Sequence, residues 1–162
     1  MFKKIKEKLL DNYINNYHTS RFQIHNQQYS ITKKVAIIDH YIWWFNNKRK
    51  FSIYKSSEGK HIYFWAELIT VEGEKYWTCG FHTDSNTNML EIIMSYKNFL
   101  QKIKKKLALP IIGLINKKNI FMKKLNQDIG FQRINVNDPK NFKIIKNYYK
   151  IKNTNNYIFF KL

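Results

Sequence analysis

The chain has 162 residues, 44% of them hydrophobic and 17% aromatic, which excludes a disordered chain and is enough for one packed core. Five glycines and two prolines leave little material for a linker, so we predict a single domain over residues 1–162. The single cysteine, Cys79, excludes an internal disulfide and has no partner at metal-ligand spacing, so we predict no metal site and a cytoplasmic, reducing setting. No apolar run reaches the roughly 18 residues that span a bilayer, and we expect no membrane span.

The formal net charge of +18 allows two interpretations. Clustered Lys and Arg side chains favour binding to nucleic acid, and they also attract anionic cofactors. Alternatively, Lys, Asn, Ile, Tyr and Phe are all abundant because their codons are rich in A and T, and the charge then has no function of its own. We favour the second interpretation and expect nucleic acid to be the less favoured partner.

The first half of the chain predicts two helices followed by three strands. An amphipathic helix is indicated in residues 1–29 by apolar side chains at helical spacing: Phe2, Ile5, Leu9, Leu10, Tyr13, Ile14 and Tyr17. A second helix is predicted from Lys34 to Phe45. The segments "KFSIYKS", "KHIYFWAELITV" and "YWTCGFH" are rich in aromatic and branched residues and are separated by turns, which predicts an antiparallel meander.

The second half alternates helices with strands. A helix is predicted from about Met89 to Leu107, and its buried face and the flank of that face are marked by Leu90, Ile93, Met94, Tyr96, Lys97, Leu100, Ile103 and Leu107. The apolar run "IIGLIN" is typical of a strand beside a parallel neighbour. A helix from Lys118 to Asp128 should bury Ile120, Phe121, the stem of Lys124 and Leu125, and end at Gly130. "FQRINV", a helix opened by Asp138-Pro139, and "NYIFFKL" complete a mixed α/β layer fold with a mixed central sheet.

This order of elements resembles the GCN5-related N-acetyltransferase (GNAT) superfamily, which has the acyl-CoA N-acyltransferase fold. The family pattern of an Asn, a helix and then Gly-Phe is matched in spacing by Asn119, Asn126, Gly130 and Phe131. The resemblance implies helices on both sheet faces, an acyltransferase-like core over residues 30–162, and fourth and fifth strands that splay apart to admit the pantetheine arm of acetyl-CoA or another acyl-CoA. It implies cofactor-binding roles for Phe81, Thr83, Ser85, Asn86, Thr87, Asn88, Asn116 and Asn119.

The loop "TDSNTN" departs from the family pattern. It should bind the pyrophosphate of the cofactor, yet it contains no glycine. Asn86 and Asn88 tolerate left-handed backbone conformations, and the hydroxyls of Thr83, Ser85 and Thr87 can donate hydrogen bonds, so a phosphate site is still possible. Asp84 would disfavour phosphate, and we predict that it caps the following helix instead.

Asn126 is the second departure. Relatives commonly place a Tyr at this spacing, and the Tyr protonates the departing CoA thiolate. A carboxamide has no proton to give near neutral pH, although it can form a hydrogen bond with the thioester or the sulfur. We keep Asn126 as a catalytic candidate. A slow enzyme, a different acid and a catalytically silent relative all remain open.

Two residues are candidates for the base that accepts the proton of the amine. Glu67 would share a strand face with Tyr63 and Trp65 if "YFWAELI" alternates, and a carboxylate among aromatic rings suits this work. Alternatively, Glu67 is an exposed strand residue paired with a lysine. His82 lies at the end of the fourth strand and is either a catalytic residue or a loop histidine.

The segment "SITKKVAIIDHYIWWF" resembles the His-x-x-Trp segment of acetyltransferases that act on amino sugars, with His40 and Trp43 at the matching positions. This implies that His40, Trp43, Trp44 and Trp77 bind a small amine such as an amino sugar. The alternative for such a helix is that its His and Trp side chains form core.

The sequence therefore supports two hypotheses of function. The first is an acyl-CoA-dependent N-acyltransferase, most simply an N-acetyltransferase, acting on the amine of a small metabolite. The second is a catalytically silent protein on the same scaffold, with a structural or nucleic-acid-binding role, for example as a viral component. The charge of +18, the loop without glycine and Asn126 favour the second.

Overall fold

The computed structural model describes residues 3–5, 11–23, 34–55, 58–84, 86–106 and 108–162. Within these residues the helices are α1 (Asp11–Arg21), α2 (Ile37–Asn46), α3 (Met89–Lys106), α4 (Ile120–Ile129) and α5 (Pro139–Asn147). The strands are β1 (Lys3–Ile5), β2 (Lys50–Lys55), β3 (His61–Val71), β4 (Glu74–Thr83), β5 (Ile111–Asn116), β6 (Gln132–Ile134) and β7 (Tyr157–Lys161). None of these helices has the length and apolar composition needed to cross a membrane.

The strands form a mixed sheet in the order β1-β2-β3-β4-β5-β7-β6. β1 and β3 both run antiparallel to β2, so that Ile53 lies opposite Ile5 on one side and Tyr63 on the other. β5 is parallel to β4 and antiparallel to β7. The predicted α/β class, the order of strands and helices from β2 onward and the parallel neighbour of "IIGLIN" are therefore confirmed.

The chain divides into two compact units. The first comprises Met1–Glu67 with Gly80–Lys106, and the second comprises Leu68–Cys79 with Leu107–Leu162. The long strands β3 and β4 contribute residues to both, because the boundaries of the units fall within these strands.

Helices cover both faces of the strands in the first unit, as the resemblance implies. Side chains alternate along β3, so Phe64 and Tyr63 point to opposite faces. The ring of Phe64 stacks on Phe99 of α3 with centroids 4.9 Å apart, whereas Tyr63 contacts Tyr17 of α1 at 5.7 Å. The residues that surround Tyr17 carry most of the candidate chemistry of this unit.

The second unit has its own aliphatic core, which contains Ile69, Tyr76, Ile112, Ile144, Ile145, Ile151 and Phe159. Helix α5 begins at Asp138, whose side chain accepts hydrogen bonds from the backbone N–H groups of Lys140 and Asn141. Pro139 follows, at a position where its missing N–H costs nothing. The Asp138-Pro139 start predicted from the sequence is thus confirmed, and Ile144 and Ile145 bury the apolar face of the helix.

The prediction of a helix through the first residues is wrong at Lys3–Ile5, which form strand β1. Ile5 pairs with Ile53 of β2 because β2 offers an unpaired edge to the chain, and this tertiary pairing overrides a helical pattern read from sequence alone. The predicted positions Phe2, Leu9 and Leu10 lie outside the described residues. From Asp11 onward the helix is confirmed, and Ile14 and Tyr17 are fully buried in it.

The buried faces of two helices differ from those predicted. In α3 the side chains of Leu90 and Met94 are 69% and 65% exposed, and the buried positions are Ile92, Ser95, Tyr96, Phe99, Leu100 and Ile103. Apolar side chains lie on more than one face of this helix. Stacking of Tyr96 and Phe99 on Phe64 determines which face is buried. In α4, Ile120 and Lys124 are exposed, and the buried residues are Leu125 and Asn126.

Candidate functional site

Glu67 lies on a strand face that also carries Trp65 and Tyr63, as predicted from the alternation of β3. Its carboxylate accepts from Arg49 Nε at 3.4 Å, and the side chains of both residues are 20% exposed. The guanidinium of Arg49 lies 3.8 Å from the centre of the Trp65 ring. Glu67 is therefore half-buried rather than an exposed strand residue, and an arginine that packs on Trp65 contacts its carboxylate.

Gly80 of β4 makes this arrangement possible. A Cβ atom at Gly80 would lie 2.7 Å from Cζ2 of Trp65, a distance that real Cβ atoms essentially never show. Only glycine therefore allows the indole to lie against β4. A glycine inside a strand pattern is a sequence signal for such close approach, and the sequence prediction did not use it.

Tyr17 lies at the centre of the aromatic cluster in the first unit and is fully buried. Burial raises the pKa of the Tyr17 hydroxyl, while the positive charges of Arg49 and Arg21 act in the opposite direction. The ring of His82 meets Tyr17 edge-on at 5.4 Å, so this candidate base faces the same cluster as Glu67. The other rings within about 6 Å of Tyr17 belong to His40, Trp43, Trp44, Phe51 and Tyr63.

His40 and Trp44 form part of the core, which was the alternative to a substrate-binding role. They are 0% and 7% exposed, so neither offers an open surface to a substrate in this structure. Burial, followed by the charges of His18 and Arg21, lowers the pKa of His40 from 6.5 to about 4. His40 is therefore neutral near pH 7.

Trp43 is a half-exposed member of the cluster. The guanidinium of Arg21 lies 5.2 Å from its ring centre and that of Arg49 lies 5.3 Å from it. Burial lowers the pKa of Arg21, and the nearby charge of Arg49 lowers it further. Two guanidinium groups thus converge on one indole, and the sequence prediction identified neither arginine.

The described part of the loop after β4 is held by its own side chains. Asp84 Oδ2 accepts from the backbone N–H of His61 at 2.8 Å, so the prediction that Asp84 caps the next helix is wrong. Asn88 takes that place, since its Oδ1 accepts from Leu90 N–H at 2.9 Å. The Thr87 hydroxyl donates a hydrogen bond to the Asp84 carbonyl at 2.7 Å. The proton that was expected to bind a phosphate is therefore already used.

Other predicted cofactor residues of this region have different surroundings. Asn86 has a φ of 62°, the left-handed conformation that the sequence allowed. Phe81 packs in the aromatic core, 5.1 Å from Tyr96, and Thr83 is buried with its carbonyl accepting from the Ser20 hydroxyl. Ser85 lies outside the described residues.

In the second unit, Asn116 and Asn119 shape the turn between β5 and α4. Asn116 Oδ1 accepts from Lys118 N–H, and Asn119 Oδ1 accepts from Met122 N–H, each at 3.0 Å. Asn119 is the N-cap of α4, and Gly130 ends the helix with a φ of 100°, as predicted. These contacts explain the spacing of the Asn, the helix and the Gly-Phe pair, because the Asn begins the helix and the Gly ends it.

Asn126 is 3% exposed, and its side-chain oxygen Oδ1 has no hydrogen-bond partner among the described residues. A buried acceptor without a donor costs about 1–3 kcal/mol. Such an atom suits a donor that arrives with a ligand, for instance an amide N–H or a thiol S–H. Trp77, by contrast, is 2% exposed within β4, which is again a core position for a predicted substrate residue.

The parallel pairing of β4 with β5 comprises Trp77 opposite Ile111 and Thr78 opposite Ile112. β5 continues to Asn116, and its remaining residues pair with β7 on the other side. Gly113 is the next residue of β5, and a Cβ atom added there would meet no atom within 4 Å. The parallel pairing of β5 with β4 thus ends at Ile112, and the next residue, Gly113, has open space beside it.

No metal-binding group of three or more His, Cys, Asp or Glu side chains is found in the described ranges. Neither a protein-family model nor a curated protein sequence matches the chain.

Several solved structures do match. A domain from Methanocaldococcus jannaschii DSM 2661 has a TM-score of 0.73 and 16% identity over 100% of this chain and 99% of that chain. The GNAT-family acetyltransferase from Bacillus anthracis has a TM-score of 0.64 and 14% identity over 99% and 96%. Spermidine N-acetyltransferase from Vibrio cholerae, solved with CoA and spermine, has a TM-score of 0.66 and 13% identity over 83% and 82%. The chain therefore has the fold of the GNAT acetyltransferases.

Proposed function

We propose that the protein is an acyl-CoA-dependent N-acetyltransferase that acts on the amine of a small metabolite such as an amino sugar. The observation that carries this proposal is the early end of the parallel β4 to β5 pairing, at Thr78 and Ile112, within the fold of acetyltransferases. Backbone N–H and C=O groups of a strand that lack a strand partner can bind an extended ligand. The pantetheine arm of acetyl-CoA is such a ligand.

Three features of the described residues fit acetyl-CoA. The orphaned Asn126 Oδ1 can accept from an N–H or S–H donor, and the space beside Gly113 leaves room next to β5. Asn86 provides a left-handed backbone in the loop that would meet the pyrophosphate. Acetyl-CoA, when bound, supplies the acetyl group as an activated thioester.

Glu67 is the preferred base. The acceptor amine must lose a proton as its nitrogen forms a bond to the acetyl carbon, and a carboxylate oriented by Arg49 can take that proton. His82 is the alternative base, because its half-buried ring faces the same aromatic cluster. Asn126 has no acidic proton for the sulfur that leaves, so we assign it the binding of a donor group.

The acceptor class follows from the charges around Trp43. Arg21 and Arg49 bring two positive charges to this ring, and Glu67 brings one negative charge. A polycation such as spermidine is disfavoured by these arginines. A sugar amine, whose ring can stack on an indole, is favoured.

The first experiment measures binding of acetyl-CoA to the whole chain by NMR. We expect shifts of the amides of residues 77–88 and 111–116 and a higher melting temperature. Gly113→Leu should weaken binding about tenfold or more because its side chain fills the space beside β5, whereas Gly113→Ala, the matched control, should weaken it less. Absence of binding at millimolar acetyl-CoA would exclude the proposal.

The second experiment measures CoA release with glucosamine, spermidine and a simple alkylamine as acceptors. We expect turnover with glucosamine to exceed that with spermidine. A preference for spermidine would contradict the amino-sugar assignment and leave acetyl transfer intact. Cofactor binding without turnover on any amine would favour the catalytically silent alternative.

A further inference from the structure

A second candidate site lies wholly within the second unit. The cavity has a volume of about 440 Å³, which falls within the roughly 300–1,000 Å³ of small-molecule sites. Its walls come from the start of the turn after β5, from β6 and the residues that follow it, and from the segment before β7 together with the start of β7. None of its lining residues is acidic.

Hydrogen bonds of the backbone and of asparagine side chains hold the walls of this cavity in place. Lys117 N–H donates to Asn156 O at 2.8 Å, which ties the end of β5 to the segment before β7. Asn135 Oδ1 accepts from Asn137 N–H at 3.0 Å, and Asn135 O accepts from the side chain of Asn141 at 2.8 Å. A ligand would therefore meet a preformed surface, and little ordering of the chain would be needed on binding.

Two cations line the cavity. Lys117 and Arg133 contribute two positive charges, and neither forms an ion pair in the part of the chain that the structure describes. The nearest acidic residue in sequence, Asp138, uses its side chain to cap α5. An Arg can bind a phosphate through two parallel hydrogen bonds, and a Lys adds a point charge. These two residues suit a phosphate group.

The remaining lining combines polar residues and one aromatic residue with three aliphatic residues, Ile134, Val136 and Ile158. Side chains of Asn137 and Asn155 have carboxamides that can both donate and accept hydrogen bonds. Tyr157 is partly buried against the core of the unit and also lines the cavity. Aromatic side chains can stack on sugars and nucleobases.

We propose that this cavity binds a nucleoside phosphate, with its phosphate on Lys117 and Arg133 and its ring on Tyr157. The inference does not depend on the proposed acetyl transfer, because it uses none of the residues assigned to that reaction. It gives part of the positive charge of the chain a defined role.

The test titrates the whole chain with AMP and follows its backbone amides by NMR. We expect saturable shifts at residues 133–137 and 154–158. The double variant Lys117→Gln, Arg133→Gln should weaken AMP binding about tenfold or more. The matched control is Lys123→Gln, Lys124→Gln, which removes two exposed charges from α4 outside the cavity and should change the affinity less than about twofold.

Further ligands separate the parts of the proposal. Adenosine should bind more weakly than AMP because it lacks the phosphate, and ribose 5-phosphate should bind more weakly because it lacks the base. Equal affinity for ribose 5-phosphate and AMP would overturn the role of the ring. Binding of a single-stranded oligouridine without any binding of AMP would overturn the assignment of a mononucleotide.

Acetyl-CoA contains a phosphorylated adenosine and must be tested as a competitor. We expect AMP to remain bound in the presence of acetyl-CoA. Displacement of AMP by acetyl-CoA, equal loss of affinity in both double variants, or no saturable shift at millimolar AMP would each overturn the proposal. Loss of acetyl-CoA binding alone would instead count against the acetyltransferase function and leave this site standing.

Discussion

Gly80 and Gly113 lie inside strands of the two units and have opposite surroundings. A Cβ atom at Gly80 would lie 2.7 Å from Trp65, whereas one at Gly113 would meet nothing within 4 Å. The same contrast holds for the candidate chemistry of each unit. In the first, Arg49 contacts both Glu67 and Trp65, and in the second the buried Asn126 Oδ1 has no hydrogen-bond partner among the residues that the structure describes. The side chains around Gly80 thus contact one another closely, whereas open space lies beside Gly113.

The largest effect is expected at Glu67. Glu67→Gln keeps the shape of the side chain but removes the carboxylate that we propose as the base, so the rate of acetyl transfer should fall about 10²–10⁴-fold, measured by CoA release. Glu72→Gln is the matched control, because Glu72 forms an exposed ion pair with Lys143, and its variant should retain full activity. If His82→Gln abolishes the activity while Glu67→Gln retains it, the base is His82.

The pH dependence of stability tests whether His40 is buried in a closely packed aromatic cluster. Its pKa is about 4 in the folded protein, below the ordinary value of 6.5. Between these values the unfolded chain binds more protons, so stability should fall as the pH decreases from 6.5 to 4, by up to about 3 kcal/mol. Urea unfolding at pH 7, 5.5 and 4 measures this loss.

The control for this pH dependence is His40→Phe, which retains every other titrating group. The difference in slope between the two proteins isolates His40. Equal slopes over this range would show that His40 is accessible to solvent when the protein is folded.

The two glycines give the most direct test of the contrast. Gly80→Ala should lower the free energy of unfolding by about 1–3 kcal/mol, because Trp65 must move. Gly113→Ala should leave it unchanged or raise it by about 0.4–1 kcal/mol, because the unfolded chain loses freedom without a clash in the folded state. Chemical denaturation measures both. Equal changes in the free energy of unfolding for the two variants would contradict the difference in packing between Gly80 and Gly113.

The smallest effect is expected on α4, where two asparagines should respond in opposite directions. Asn126→Leu removes the orphaned acceptor and should raise the free energy of unfolding by up to about 1 kcal/mol. The same substitution should weaken the binding of acetyl-CoA about tenfold. Asn119→Ala removes the N-cap of the same helix and should lower the free energy of unfolding by about 0.5–2 kcal/mol. Destabilisation by Asn126→Leu would show that Asn126 has a structural role.

Order and type of the elements could be predicted from the sequence because local patterns determine them. Asp138-Pro139 and Gly130 have strong local preferences, and both stand at the helix ends predicted for them. The pairing of β1 could not be predicted, since it depends on the edge of β2, which is distant in sequence. The face of α3 was missed for the same reason, because stacking on Phe64 decides it.

The candidate site was predictable only in part. Alternation along β3 placed Glu67 beside Trp65 correctly, since strand periodicity is a local property. The contacts of Arg49 were not predictable, because their partners lie on β3, which is distant in sequence. Asp84 failed as a cap because His61, on a neighbouring strand, offered its N–H. Patterns along the chain thus indicate which residues are candidates, and long-range pairing determines what each one contacts.

The contact between Trp65 and Gly80 also has a consequence for inheritance. Any mutation that adds a side chain at Gly80 meets the indole, so Trp65 must move, at a cost in stability, or be replaced by a smaller residue. The two positions should therefore change together among descendants of this sequence. Divergent homologues could be sought by this linked pair of a tryptophan and a glycine on adjacent strands.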